Sequence, residues 1–183
     1  PQRTRSAVDL ARRLYGALRH EILIIAVLAG SFLARWLLAD RNSYWLDELY
    51  SVAIYGIWNP SAGAAVERLA NTSVHPPLYQ AILYVWMDLF GDTERSSRSL
   101  SNLYITLATL FLYLLVRNTL SRRVAQWSAV TFALMSAPME FGLMTRSYAQ
   151  TIFLATLSSY ALVRLMRVGA DRGWRRVATP DCC

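Results

Sequence analysis

The amino-acid sequence predicts an all-α, polytopic membrane protein with four transmembrane helices and juxtamembrane interfacial helices in one long loop. Three observations carry that expectation. Hydrophobic residues make up 55% of the 183 and the mean hydropathy is positive, above the range of ordinary soluble domains. Four apolar runs reach or approach the roughly 20 helical residues needed to cross a hydrocarbon core. Arginines flank these runs, where topology signals sit.

The first run, about Glu21 to Ala39, follows an arginine-rich segment over 1–20, as the core of a signal peptide would. It lacks a small-residue cleavage site and contains Arg35-Trp36 near its end, so the expectation is an uncleaved first span. Residues 40–99 form a long loop, 100–116 the second span, 124–144 the third, 148–166 the fourth and 167–183 a tail. The stretch from Pro76 to Phe90 is a fifth candidate, but it is short and carries Gln80 and Asp88. Arginine counting decides its placement. If it spanned, Arg117, Arg122, Arg123, Arg164, Arg167, Arg172, Arg175 and Arg176 would lie opposite the N-terminal Arg3, Arg5, Arg12, Arg13 and Arg19. If it does not span, these thirteen of nineteen arginines share the cytoplasmic side, as the positive-inside rule requires. The whole chain, 1–183, is then a single four-span transmembrane module with both termini cytoplasmic.

A structureless loop as long as 40–99 would be unusual, and its sequence predicts helices. "YWLDELYSVAIYGIW" places Leu46, Leu49, Ala53 and Ile57 on one helical face, with Gly56 and Pro60 ending it. "SAGAAVERLANTS" reads as a short helix beginning near Ser61. The stretch from Pro76 to Phe90 places Leu78, Ile82, Val85, Trp86 and Leu89 in a stripe, which suits a helix lying in the outer membrane interface.

The net charge of +7 comes entirely with arginine, since there is no lysine. Basic patches interleaved with aromatics can bind nucleic acid, but here the arginines flank spans, so nucleic acid is not the expected partner and membrane lipids are. The cysteines are only the adjacent pair Cys182 and Cys183, which have neither metal-ligand spacing nor a disulfide framework.

Three sets of polar residues could carry chemistry. Asp47-Glu48 is an acid pair on an apolar helix at the membrane surface; it is either the wet face of that helix or a general base or metal ligand. His75 precedes Pro76-Pro77, and prolines suit the first turn of a helix. The histidine would sit beside free N–H groups at the positive end of the helix dipole, a place that favours phosphate. Arg98 in "ERSSRSLS" and Arg146 in "MTRSYA" lie at outer ends of spans, either snorkelling or holding an external anionic headgroup. Glu140, after Pro138, is a second acid or part of a helix end. Arg35 reads as a snorkelling anchor.

In this order, "YWLDELYS", "HPPLYQAILYVWMDLFGDTERSSRSLS", "SAP" and "TRSYA" resemble the N-terminal part of the protein-mannosyltransferase-like GT-C glycosyltransferases. That superfamily includes dolichyl-phosphate-mannose protein mannosyltransferases and the bacterial lipid A aminoarabinose transferase. The resemblance covers roughly Glu21 to Met166. It implies an enzyme of the bacterial inner or plasma membrane, active on the external or periplasmic face. The enzyme would transfer a sugar from a polyprenyl-phosphate-linked donor to a lipid, glycan or protein acceptor, with inversion. The resemblance makes Asp47 the catalytic acid, with Glu48 beside it, and has His75, Arg98 and Arg146 neutralise the donor phosphate. Glu140 is a candidate second acid, because many relatives carry a Gln-Glu pair where this chain has Leu143-Met144. No cofactor is demanded; a divalent metal, Mg or Mn, bridging Asp47 and the phosphate is compatible with the pattern. Relatives usually continue into further spans, so the expectation is the N-terminal catalytic module of such an enzyme. The alternative is a truncated, non-catalytic membrane protein that binds a polyprenyl-phosphate lipid or serves as an assembly partner.

Overall fold

The computed structural model describes residues 21–55, 61, 63–64, 67–68, 71 and 77–178. Among these residues the secondary structure is helical, without strands. The helices are α1 (Glu21–Leu38), α2 (Leu46–Tyr55), α3 (Pro77–Phe90), α4 (Glu94–Thr119), α5 (Arg122–Leu134), α6 (Ser136–Gly142) and α7 (Tyr148–Ala178). Three segments, Glu21–Leu38, Glu94–Thr119 and Tyr148–Val168, are long and apolar enough to cross a membrane. This is an all-α integral membrane protein.

The central element is α4, which packs against α3, α5, α6 and α7. Its start is well specified by the residues before it. Gly91 takes φ 89°, a left-handed conformation open to glycine at little cost, and its N–H bonds the Met87 carbonyl at 2.9 Å to close α3. Two residues on, the Thr93 hydroxyl accepts from the Ser96 N–H at 3.2 Å and caps α4.

The chain then traverses the bundle repeatedly. Arg117 and Arg122, at the α4–α5 turn, both pair with Glu21 at the start of α1. Thr145, after α6, bonds Glu48 in α2 at 2.7 Å. So α5 and α6 together bring the chain back from one end of the bundle to the other, and α7 leaves again. The stretch expected as one span over 124–144 is two consecutive helices. Pro138 has no N–H for the Leu134 carbonyl, and its ring would clash there. Met135 therefore turns to an extended conformation, φ −66° and ψ 146°, between α5 and α6.

Burial distinguishes the inner faces of these helices from the outer ones. In α2, Leu46 and Leu49 are exposed, while Glu48, Ser51 and Val52 are buried. The helix turns its acid inward because a cation waits there. In α3, Leu78, Val85 and Leu89 are exposed, whereas Tyr79, Leu83 and Met87 form the buried row. A helix that is apolar almost all round does not reveal its inner face by hydrophobicity. One expectation is corrected by burial: Arg35 does not snorkel. It is fully buried, with Nε on Asn102 Oδ1 at 2.6 Å and Nη2 on Thr106 Oγ1 at 3.1 Å, both on α4. Gly142 of α6 leaves room for it: a Cβ there would lie 2.5 Å from Arg35 Cδ.

Helix α5 presents Ala125, Ala129 and Ala133 inward and Trp127 and Leu134 outward. Small residues every fourth position let helix backbones approach closely where lipid gives apolar side chains no reason to hide. The predicted helix at Ser61 lies largely outside the described residues; Ser61 Oγ accepts from the Ala64 N–H at 3.2 Å. At the other end, α7 continues past Met166 to Ala178.

Candidate functional site

The site forms where the C-terminal end of α1, the start of α2, the first turns of α4 and the loop after α6 converge. It begins with a local motif. Glu48, the third residue of α2, reaches back so that Oε2 accepts from the Trp45 N–H at 3.1 Å, which is the acid half of a capping box. The same carboxylate then bonds across the fold. Oε1 accepts from Arg98 Nε at 3.1 Å and from the Thr145 N–H at 2.7 Å, and Oε2 accepts from Arg98 Nη2 at 2.8 Å.

Arg98 is engaged by the chain on every side. Besides the two bonds to Glu48, Nη1 donates to the carbonyls of Ala39 and of Asn42 (2.7 Å for the latter), and Nη2 donates to the Ser43 carbonyl at 3.3 Å. Its guanidinium carbon lies 5.3 Å from the centroid of the Tyr44 ring. The pair is almost completely buried, side chains 4% and 2% exposed for Arg98 and Glu48. Arg98 thereby ties the α1–α2 connection to α4, and the fork geometry of a guanidinium suits this bidentate task.

Electrostatics follow from that geometry. Burial alone would raise the Glu48 carboxyl, but the Arg98 hydrogen bonds and the Thr145 and Trp45 N–H groups outweigh it. They hold the carboxyl below its usual range, so Glu48 is a carboxylate at neutral pH. Tyr44 shifts the other way: burial, working against the Ser97 hydrogen bond and the Arg98 charge, raises its phenol.

Asp47 points in the opposite direction from its neighbour. Its side chain is 76% exposed, and Oδ2 lies 3.7 Å from Arg146 Nη2. Arg146 Nη1 also donates to the Asp47 carbonyl at 3.2 Å, and its guanidinium lies over the Tyr148 ring at 5.8 Å. The adjacent acids thus have separate environments: Glu48 is held inside, and Asp47 stands at the surface beside a cation.

Of the residues singled out from sequence, the structure therefore brings together Asp47, Glu48, Arg98 and Arg146. Glu140 is exposed on α6 without a described contact to that group. His75 lies outside the described residues. Sequence reading passed over Thr145, fully buried, whose N–H bonds Glu48 and whose Oγ1 lies 3.2 Å from Ser97 Oγ. Ser97 Oγ in turn meets Tyr44 Oη at 2.7 Å. Both residues sit inside the quoted motifs, but a backbone donor and a bridging hydroxyl leave no signature of their own. For a metal, the described residues contain no group of three or more histidine, cysteine or acidic side chains. The charged neighbour of Asp47 is the Arg146 guanidinium, 3.7 Å away.

A membrane-embedded helical bundle with acids and arginines gathered at one end defines a class, an integral membrane protein with a polar site at the ends of its apolar helices. Residues 74–178 match the family described as dolichyl-phosphate-mannose-protein mannosyltransferase. That match covers more than half of the chain, and the chain belongs to this family, whose members are glycosyltransferases of the GT-C type. No curated protein and no solved structure matches it.

Proposed function

We propose that the chain carries the catalytic site of a glycosyltransferase that takes its sugar from a polyprenyl-phosphate-linked donor. The acceptor stands on the outer face of a bacterial inner or plasma membrane. The observation that carries this reading is the split acid pair: Glu48 buried against Arg98, Asp47 exposed within reach of Arg146. Asp47 accepts the proton of the acceptor hydroxyl. The freed oxygen attacks the anomeric carbon as the bond from that carbon to the phosphate oxygen breaks. A single displacement inverts the configuration. The polyprenyl phosphate leaves with an extra negative charge, which Arg146 is placed to stabilise.

Arg98 takes a different role from the one its motif suggested. With its donors on Glu48 and on three carbonyls, it is a positioning residue that fixes α2 and hence Asp47. His75 keeps its proposed role as a phosphate ligand ahead of α3. The acceptor is a lipid, glycan or protein hydroxyl.

The direct test is sugar transfer by the full-length protein carrying Asp47→Ala. Loss of a general base removes about 10²- to 10⁴-fold in rate. Transfer at the wild-type rate would overturn the assignment of Asp47.

A further inference from the structure

A second feature lies on the neighbouring face of α4, where Arg95 turns outward while Arg98 turns in. Arg95 pairs with Asp40 at 2.6 Å, and both side chains remain partly open to the surroundings, 42% and 45% exposed. Arg95, with Ser96 and other α4 residues, lines a cavity of about 400 Å³ walled by Phe32 and Trp36 of α1 and Trp86 and Phe90 of α3, and Asp40 stands next to it through Arg95. Phe32 and Trp36 stack at 6.1 Å, and Trp86 and Phe90 lie 4.5 Å apart. The Trp86 indole N–H is already used on the Ser96 carbonyl and Ser99 Oγ, at 3.1 and 3.0 Å, so the ring faces remain to line the cavity.

Two buried polar atoms in this lining have no protein partner, Arg95 Nε and Ser96 Oγ. Ser96 as a whole is 7% exposed. Orphaned buried donors are costly and ask for an explanation. Both belong to the first turn of α4, where the helix dipole favours a negative group. The aromatic walls ask for hydrocarbon, and their place at the ends of α1 and α4 is where membrane aromatics meet lipid headgroups.

We infer that this groove binds a zwitterionic aminophospholipid, its phosphate on Arg95 and the α4 N-terminus, its ammonium on Asp40, and part of one acyl chain between the two aromatic pairs. The Asp40 carboxylate decides between lipid classes. A purely anionic headgroup, or a polyprenyl phosphate, would draw Arg95 from Asp40 and leave that carboxylate without a counter-charge. A phosphate and an ammonium on one short linker complement the ion pair in both signs. The lipid would bind beside the catalytic site and would not be consumed there.

The inference is independent of the transferase reading and is tested by binding alone. The full-length protein in detergent is titrated with dioleoyl-phosphatidylethanolamine, dioleoyl-phosphatidylglycerol and undecaprenyl phosphate, and bound lipid is counted by native mass spectrometry. Phosphatidylethanolamine is expected to bind the wild type best. Arg95→Gln should weaken it about tenfold, the loss expected of one charge-assisted contact. Asp40→Asn should erase the preference over phosphatidylglycerol, and Trp127→Phe, an exposed position on α5 outside the groove, should leave the preference intact. Equal binding of the two phospholipids to wild type would overturn the proposal. So would phosphatidylethanolamine binding that both Arg95→Gln and Asp40→Asn leave unchanged, or tightest binding of undecaprenyl phosphate lost with Arg95→Gln. Unchanged helical circular dichroism and melting temperature establish that each variant is folded.

Discussion

Glu48 and Asp47 are adjacent in the chain and opposite in circumstance. Removing the Glu48 carboxylate leaves Arg98 buried with an unpaired charge, so Glu48→Ala should lower stability by about 3–5 kcal/mol, read as a loss of thermal midpoint in detergent. The carboxyl titrates lower in the folded protein than in the unfolded chain. Its contribution is therefore complete above the unfolded value of about 4.3 and is lost as pH falls through the folded value. Acid unfolding monitored by circular dichroism should become less steep in Glu48→Gln. Gly142 offers another test. Its Cβ would meet the middle of the Arg35 side chain at 2.5 Å, where Nε is already committed to Asn102, so Gly142→Ala should cost about 1–3 kcal/mol. Sequence picked out both members of the acid pair and both site arginines, because charges in an apolar context stand out. It could not tell the buried acid from the exposed one, or see that Arg35 goes inside, since burial depends on partners fifty or more residues away.

The helices show the same division. Their existence was legible from apolar length and from Gly and Pro punctuation, and the α3–α4 junction at Gly91 and Thr93 is a local affair. Their inner faces were not, because α3 is apolar on both sides and α2 is drawn in by an ion pair. Leu83→Ala, on the buried row of α3, should cost about 2–5 kcal/mol, while Leu89→Ala, on the outward stripe, should change stability by less than about 0.5 kcal/mol; reversal of that order in thermal melts would overturn this assignment of faces. Helix α5 packs by its alanines, so Ala129→Leu should force it away from α4 and cost about 1–3 kcal/mol. The exposed Trp127 on the same helix makes the control.

At the scale of the molecule, the passes between the Glu21–Arg122 end and the Glu48–Thr145 end set up a topology test. With Cys182 and Cys183 replaced, single cysteines at Asp88 and at Arg122 should be labelled by impermeant reagent from opposite sides of the membrane. Labelling of both from one side would break the four-span arrangement and the outward placement of Asp47 with it.

Sequence by itself determined that the chain is helical, that it is built for a membrane, and which polar residues are unusual there. These are properties of composition, period and order, and they need no knowledge of neighbours in space. The family was legible for the same reason, since its motifs are local and ordered. Only the tertiary structure decided that Glu48 and Arg98 neutralise each other inside, leaving Asp47 and Arg146 at the surface. That decision rests on a desolvation cost, which forces a buried charge to find its partner, and on helix packing, which fixes where partners are.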